Sequence, residues 1–271
     1  MLLGALLHAS WNLLVKTRPN KQAATGIIYI FAGSLAAVAL PFVSMPSAAS
    51  WPYLAASAGT EFLYGIVLAA AYRRADLSHA YPLMRGTAPL LVAIGSSVLI
   101  GERLSEPVWA GLILMSVALL SLIFDARGRS SSWSSTGLAV LNAFLIAAYT
   151  MIDGVGGRLS GHAVSYSLWL FMLTGLPWMV WLAMRRRVHR WEDVRGEIPA
   201  GALGGACSLA SYTVAVWAMT QAPIAAVAAV RESSILFGTL LGALVLKERV
   251  TRVRALAVAG IAAGVWIIRS G

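Results

Sequence analysis

Apolar residues fall into ten runs along the chain, separated by short polar stretches. The runs cover roughly residues 2–16, 23–43, 53–72, 77–100, 107–124, 136–155, 163–184, 198–220, 223–246 and 253–269. All but the first have about the 17–25 residues that carry an α-helix across the hydrocarbon core of a bilayer. In lipid the backbone must satisfy its own hydrogen bonds, so such runs are helices. The first run is short, and Lys16 at its end is placed to snorkel to the interface. The pattern predicts an all-α membrane protein with ten transmembrane helices.

Composition agrees. Apolar residues make up 59% of the chain and charged residues 12%, against roughly half and a quarter in a soluble domain. A net charge of +10 would suggest nucleic acid for a soluble protein, but the basic residues cluster between apolar runs. Lys16, Arg18, Lys21, Arg73, Arg74, Arg127, Arg129, Arg185, Arg186, Arg187, Arg190, Arg195, Lys247, Arg249, Arg252 and Arg254 all follow odd-numbered runs, whereas the even-numbered loops and the C-terminal tail hold only Arg103, Arg158 and Arg269. The positive-inside rule then puts the odd-numbered loops in the cytoplasm and both termini outside, in a multi-pass protein of the inner (plasma) membrane. The lipid bilayer is the expected surrounding and no nucleic-acid partner is expected. Cys207 is the one cysteine, so no intrachain disulfide and no cysteine-based metal set is expected. No other metal site and no cofactor is expected either. Met1 leads straight into apolar sequence without a basic leader region, so no removable signal peptide is expected.

The polar residues inside the pattern recur. Residues 51–120 align with 197–266 at the single offset of 146, which maps Arg85 to Arg231, Glu102 to Glu248 and Arg103 to Arg249. Each copy belongs to a unit of five runs, 1–125 and 133–271. Five is odd, so the second unit lies upside down relative to the first. The loops agree: Ser44–Trp51 carries no charge while its counterpart Arg185–Glu197 carries five arginines. Inverted repeats with a site near the midplane at their interface are a transporter architecture.

Five motifs stand in order along the chain: His8-Ala-Ser-Trp-Asn12 with Lys16, Tyr81-Pro-Leu-Met-Arg-Gly86, Gly101-Glu-Arg-Leu104, Tyr149-Thr-Met-Ile-Asp-Gly154 and Lys247-Glu-Arg-Val250. Their order and spacing resemble EamA-type members of the drug/metabolite transporter superfamily over essentially the whole chain. The resemblance implies ten helices in two inverted five-helix repeats around a central cavity, and transport of small metabolites, often by export. Many members of that family have cytoplasmic termini, and the charge distribution here departs from them.

Ionisable residues inside membrane helices cost about 2.5–3.5 kcal/mol on insertion scales, so each is a functional candidate. Arg85 and Arg231 each lie roughly 12 Å inside their runs at the helical rise. They are reached from opposite ends, which puts them on opposite sides of the midplane. A guanidinium facing a cavity is a bidentate partner for a carboxylate or phosphonate; the alternative is permanent pairing with an acid that locks two helices. Glu61 lies near the middle of the third run, and Glu232 follows Arg231 where the first repeat has Gly86. Adjacent helical positions point about 100° apart, so Arg231 and Glu232 cannot both aim at one partner. A buried carboxylate is a candidate proton carrier for coupled transport, although the reading favoured for Glu61 is counter-ion to Arg85 or Arg231. His8, Trp11 and Asn12 share one helical face, and Tyr149 is read as the counterpart of Trp11. These residues either line the cavity or hydrogen-bond between helices, at about 0.6 kcal/mol each.

Other residues read as structural. Asp153, followed by Gly154, Gly156, Gly157 and Arg158, reads as an interfacial helix end or salt bridge. The Glu102-Arg103 and Glu248-Arg249 pairs read as fixing helix junctions, and His79 as interfacial. Gly201/Gly205, Gly238/Gly242 and Gly260/Gly264 read as packing inside one bundle. Pro82 and Pro89 are expected to kink the helix beside Arg85.

The leading expectation is a secondary transporter working by alternating access on a small-molecule substrate, as monomer or homodimer. A lipid flippase or channel-like pore on the same scaffold is the second class. A membrane-embedded enzyme is the weakest, because the chain has no H-E-x-x-H, G-x-S-x-G or P-loop. Two cavity-facing arginines would favour an organic acid, an amino-acid carboxylate or a phosphonate. If Glu61 and Glu232 neutralise both, an amphiphilic or cationic substrate fits better.

Overall fold

The apolar runs fold as helices in a computed structural model that describes residues 1–18, 21–74, 77–126, 133–184, 191–247 and 250–270. The helices are α1 (Leu2–Lys16), α2 (Lys21–Ala39), α3 (Trp51–Arg74), α4 (Leu77–Gly95), α5 (Glu106–Ser121), α6 (Trp133–Leu159), α7 (Ala163–Met184), α8 (Trp191–Met219), α9 (Ile224–Arg231), α10 (Ser234–Val245) and α11 (Arg252–Ser270). No strand occurs among the described residues. Among the described residues, eight helical segments are long and apolar enough to cross a membrane, with α9 and α10 joined in one; α1, at 15 residues, and α3 are not among them. Arg127, Arg129, Arg185, Arg186, Arg187, Arg190, Glu248 and Arg249 lie outside the described residues, as do the side chains of Arg73, Arg74 and His79.

Two elements depart from the hydropathy pattern. The run expected over 223–246 is two helices, broken at Glu232-Ser233. There the backbone tightens: Glu232 and Ser233 donate to Ala229 and Val230, and Ile235 and Leu236 to Glu232 and Ser233, all three residues back. The sixth run does not end at its glycines, and α6 passes through Gly154, Gly156 and Gly157 to Leu159. Those glycines serve close approach. A Cβ on Gly156 would lie 2.5 Å from the Tyr166 hydroxyl, and one on Gly157 2.8 Å from Val216.

Small residues set the helix crossings elsewhere. A Cβ on Gly205 of α8 would stand 2.8 Å from the Ala32 backbone of α2, and one on Gly264 of α11 2.8 Å from the Gly111 carbonyl of α5. Gly238 faces open space instead, so its expected role in packing fails. Pro82 and Pro89 both sit inside α4. Proline lacks an N–H, so Pro89 leaves the Arg85 carbonyl, four residues back, without its helical donor.

Alternate helix ends meet on one face of the bundle. Ser47 N–H donates to the Ser160 carbonyl at 3.1 Å, and the Ser165 hydroxyl to the Ser44 carbonyl at 2.6 Å. Arg158 pairs with Glu102 at 2.6 Å and donates to the carbonyls of Met219 and Ala222 at 2.8 and 3.0 Å. Glu102 accepts the Ile224 N–H at the start of α9, where a carboxylate also meets the positive end of the helix dipole. Glu102 thus fixes a helix junction, as its place at the end of an apolar run implies. On the opposite face Arg18 meets Glu197 at 3.4 Å.

Candidate functional site

Helix α9 is eight residues long, buried at all but Val230, and it starts on the Glu102 cap and ends on Arg231. Its alanines leave room for neighbours on every side, and it delivers Arg231 and then Glu232 into the middle of the bundle. The two side chains diverge, as adjacent helical positions must. Glu232 turns to α4, where its Oε2 lies 2.9 Å from Arg85 Nε, with both side chains about 5% exposed. Arg231 turns to α6 and α8. An Nη donates to the Tyr149 hydroxyl at 3.5 Å, and the guanidinium lies 5.2 Å from the centre of the Tyr212 ring. Its other Nη has no hydrogen-bond partner. Among the described residues no carboxylate oxygen lies within 4 Å of Arg231.

Arg85 and Arg231 therefore meet in one cluster, with the counter-ion of the first next in sequence to the second. Arg85 also places an Nη 3.2 Å from His8 Nε2. Trp11 Nε1 approaches the other ring nitrogen of His8 at 3.3 Å, with the two rings edge to face. Asn12 is not brought in, because its amide donates to its own helix at the His8 carbonyl. Tyr149 stands at the centre, stacked edge to face on Tyr64 and close to Tyr212.

Glu61 is buried and in contact with no basic group: the described residues place no basic nitrogen within 4 Å of it. Its contact is the Thr174 hydroxyl at 3.3 Å. The expectation of pairing with an arginine fails because Glu232, on a broken helix, takes Arg85, and tyrosines surround Arg231.

Asp153 departs furthest from its sequence reading. It is not interfacial but wholly buried, and it accepts hydrogen bonds from Tyr166 at 2.9 Å and from Tyr212. Tyr212 thus links two charges: its hydroxyl holds Asp153 and its ring lies against Arg231. The signal was available. Tyr149 and Asp153 are four residues apart on α6, as Glu61 and Tyr64 are three apart on α3, and such spacings share a helical face. Tyr29, Phe171 and Trp178 continue the aromatic surface from Tyr212 toward α2 and α7.

A cavity of about 10 Å³ lies beside Arg231 and Glu232, lined also by Ala88, Pro89, Ile146 and Thr150. That volume is about that needed for a single water. The site offers one guanidinium free of carboxylates, an aromatic wall, and two acids held by hydroxyls.

The model of the EamA-like transporter family matches residues 133–270. A solved structure described only as a crystal structure of a protein superposes with a TM-score of 0.76 at 17% identity, covering 99% of this chain and 97% of that one. At that identity the likeness speaks for the fold. No curated protein matches the chain.

Proposed function

The chain belongs to the EamA-like transporter family of the drug/metabolite transporter superfamily, and we propose that it is a secondary transporter moving a small organic anion or amino acid past Arg231 by alternating access. Members of this family are transporters, and the apolar helices make the chain a multi-pass membrane protein. The proposed architecture is ten transmembrane helices in two inverted five-helix repeats, 1–125 and 133–271. The basic loops face the cytoplasm of a cell whose inner membrane holds the protein, and both termini face out. Export is the direction that the family resemblance implies.

The helix neighbours support the inverted arrangement. Exchanging α3 with α8, α4 with α9–α10, α5 with α11, α6 with α1 and α7 with α2 turns the α3–α6 packing into α8–α1, α2–α8 into α7–α3, and α4–α6 into α10–α1, while α5–α11 and α2–α7 map onto themselves. All of these packings are present. A broken helix at the repeat interface is a recurrent transporter site, and α9–α10 is broken directly after Arg231.

One observation carries the substrate class: Arg231 is a buried guanidinium with an unpartnered Nη and no carboxylate in contact. A buried charge with no carboxylate in contact is costly, and a substrate carboxylate would supply a direct partner bidentately. The test is uptake into proteoliposomes from a panel of organic carboxylates, amino acids and cationic dyes, with Arg85→Ala and Arg231→Ala in parallel. A carboxylate is expected to move, and Arg231→Ala to lose uptake while folded. Transport of cations alone, unaffected by Arg231→Ala, would overturn the anion assignment.

A further inference from the structure

Glu61 and Asp153 are both buried carboxylates without a basic partner in contact, yet their hydroxyl partners differ in a way that decides which one holds a proton. A hydroxyl has one hydrogen to donate. Tyr166 and Tyr212 each direct theirs at Asp153, which therefore accepts twice, as a carboxylate anion does. Thr174 is divided. Its hydroxyl lies 2.8 Å from the Leu170 carbonyl one turn back and 3.3 Å from Glu61. The two acceptors share that one hydrogen, with the carbonyl the nearer, a common arrangement for threonine inside a helix. Glu61 therefore receives at most one long, shared hydrogen bond where Asp153 receives two, and a buried carboxylate so poorly compensated is stabilised by binding a proton.

We propose that Glu61 is a proton-binding site, occupied in this structure, and that its proton and an anion at Arg231 are held together. The charges agree. Arg85 and Glu232 cancel, Arg231 and Asp153 balance through Tyr212, and a protonated Glu61 adds nothing. Among the described residues, the groups within electrostatic reach of Glu61 are Tyr29 of α2, Tyr149 and Asp153 of α6, Tyr166 of α7, Tyr212 of α8 and Arg231 of α9. Arg231 is the only cation among them. An anion that engages Arg231 removes the compensation on which the acids depend. Loss of the Glu61 proton would then leave an uncompensated negative charge in a low-dielectric interior. Binding of the two is therefore linked, and linkage is reciprocal. The second half of this inference rests on the reading of Arg231 as the anion site; the proton on Glu61 does not.

Infrared spectroscopy of the full chain in lipid nanodiscs reads the site directly, because a protonated carboxyl absorbs apart from a carboxylate. The wild type is expected to show a buried carboxyl band that Glu61→Gln removes and Asp153→Asn leaves. A band unchanged by Glu61→Gln overturns the proposal. Should Glu61→Gln fail to fold, Thr174→Val serves: the band is expected to shift as the hydroxyl disappears, and an unshifted band overturns the proposal equally. Benzoate is the probe for linkage. It is expected to preserve the band at a pH where it is otherwise lost, and Arg231→Ala to abolish that effect. A band that depends on Glu61 but ignores benzoate overturns the linkage and leaves the proton site standing. Absence of transport in the uptake panel would instead count against the transporter reading.

Discussion

Arg85 and Arg231 hold the same register in two apolar helices 146 residues apart, and their surroundings are opposite. Arg85 is neutralised by Glu232 at 2.9 Å and tied to His8. Arg231 has two tyrosines and no carboxylate. The asymmetry begins one residue later, with Gly86 in the first copy and Glu232 in the second. Gly86 has no room for an acid, because a Cβ there would lie 2.9 Å from Leu120. Glu232 sits at the break between α9 and α10 and is free to cross to α4. On the proposed reading, Arg85 is a structural tie and Arg231 is the one left for a ligand.

The largest effect expected from this difference is on stability. Removing one partner of a buried ion pair strands the other and costs about 3–5 kcal/mol, whereas replacing both by apolar groups of similar volume is often neutral. Arg85→Ala should therefore lower the unfolding temperature sharply, and Arg85→Met with Glu232→Leu should recover most of the loss. Thermal unfolding in detergent measures both. An Arg85→Ala protein as stable as the wild type would break the comparison.

Arg231→Ala should behave in the opposite way. No ion pair in direct contact is broken, and the loss of its contact with Tyr212 costs about 2 kcal/mol. Uptake should suffer more: a hydrogen-bonded charge on a substrate contributes about 1.5–3 kcal/mol, or roughly a 10- to 100-fold loss. Uptake kinetics beside unfolding curves separate the two arginines. Should Arg231→Ala destabilise as much as Arg85→Ala with uptake per folded molecule unchanged, the roles assigned to them are wrong.

Much of this was legible in the order of residues, and the part that was not has a physical cause. Helix positions follow from hydropathy because lipid leaves the backbone no alternative to a helix. Arg85, Arg231 and Glu232 stand out because charge is rare in apolar runs. The divergence of Arg231 and Glu232 follows from helical geometry alone. The break between α9 and α10 left no trace, because Ser233 and Ser234 are compatible with a continuous helix. Asp153 was misread because the three glycines after it resemble a helix end, when they mark where Tyr166, Val216 and Ile224 press against α6. The partner of Glu61 was out of reach because Thr174 is 113 residues away, and nothing local distinguishes it from any other threonine.

The smallest effect belongs to His8, the second tie on Arg85. A neutral imidazole carries one N–H and accepts at one nitrogen only. Arg85 is always a donor, and it faces Nε2 at 3.2 Å, while the indole N–H of Trp11 faces Nδ1 at 3.3 Å. The ring cannot accept both, so a hydrogen on Nδ1 satisfies Arg85 at the expense of Trp11, and one on Nε2 does the reverse. His8 is thus a divided partner, weaker than its two contacts imply. His8→Ala should cost about 0.6 kcal/mol, the average for a polar contact between membrane helices, while Glu232 keeps Arg85 in place and Arg231-dependent uptake stays unchanged. A loss approaching that of Arg85→Ala in unfolding measurements would show that His8, and not Glu232, is what holds Arg85.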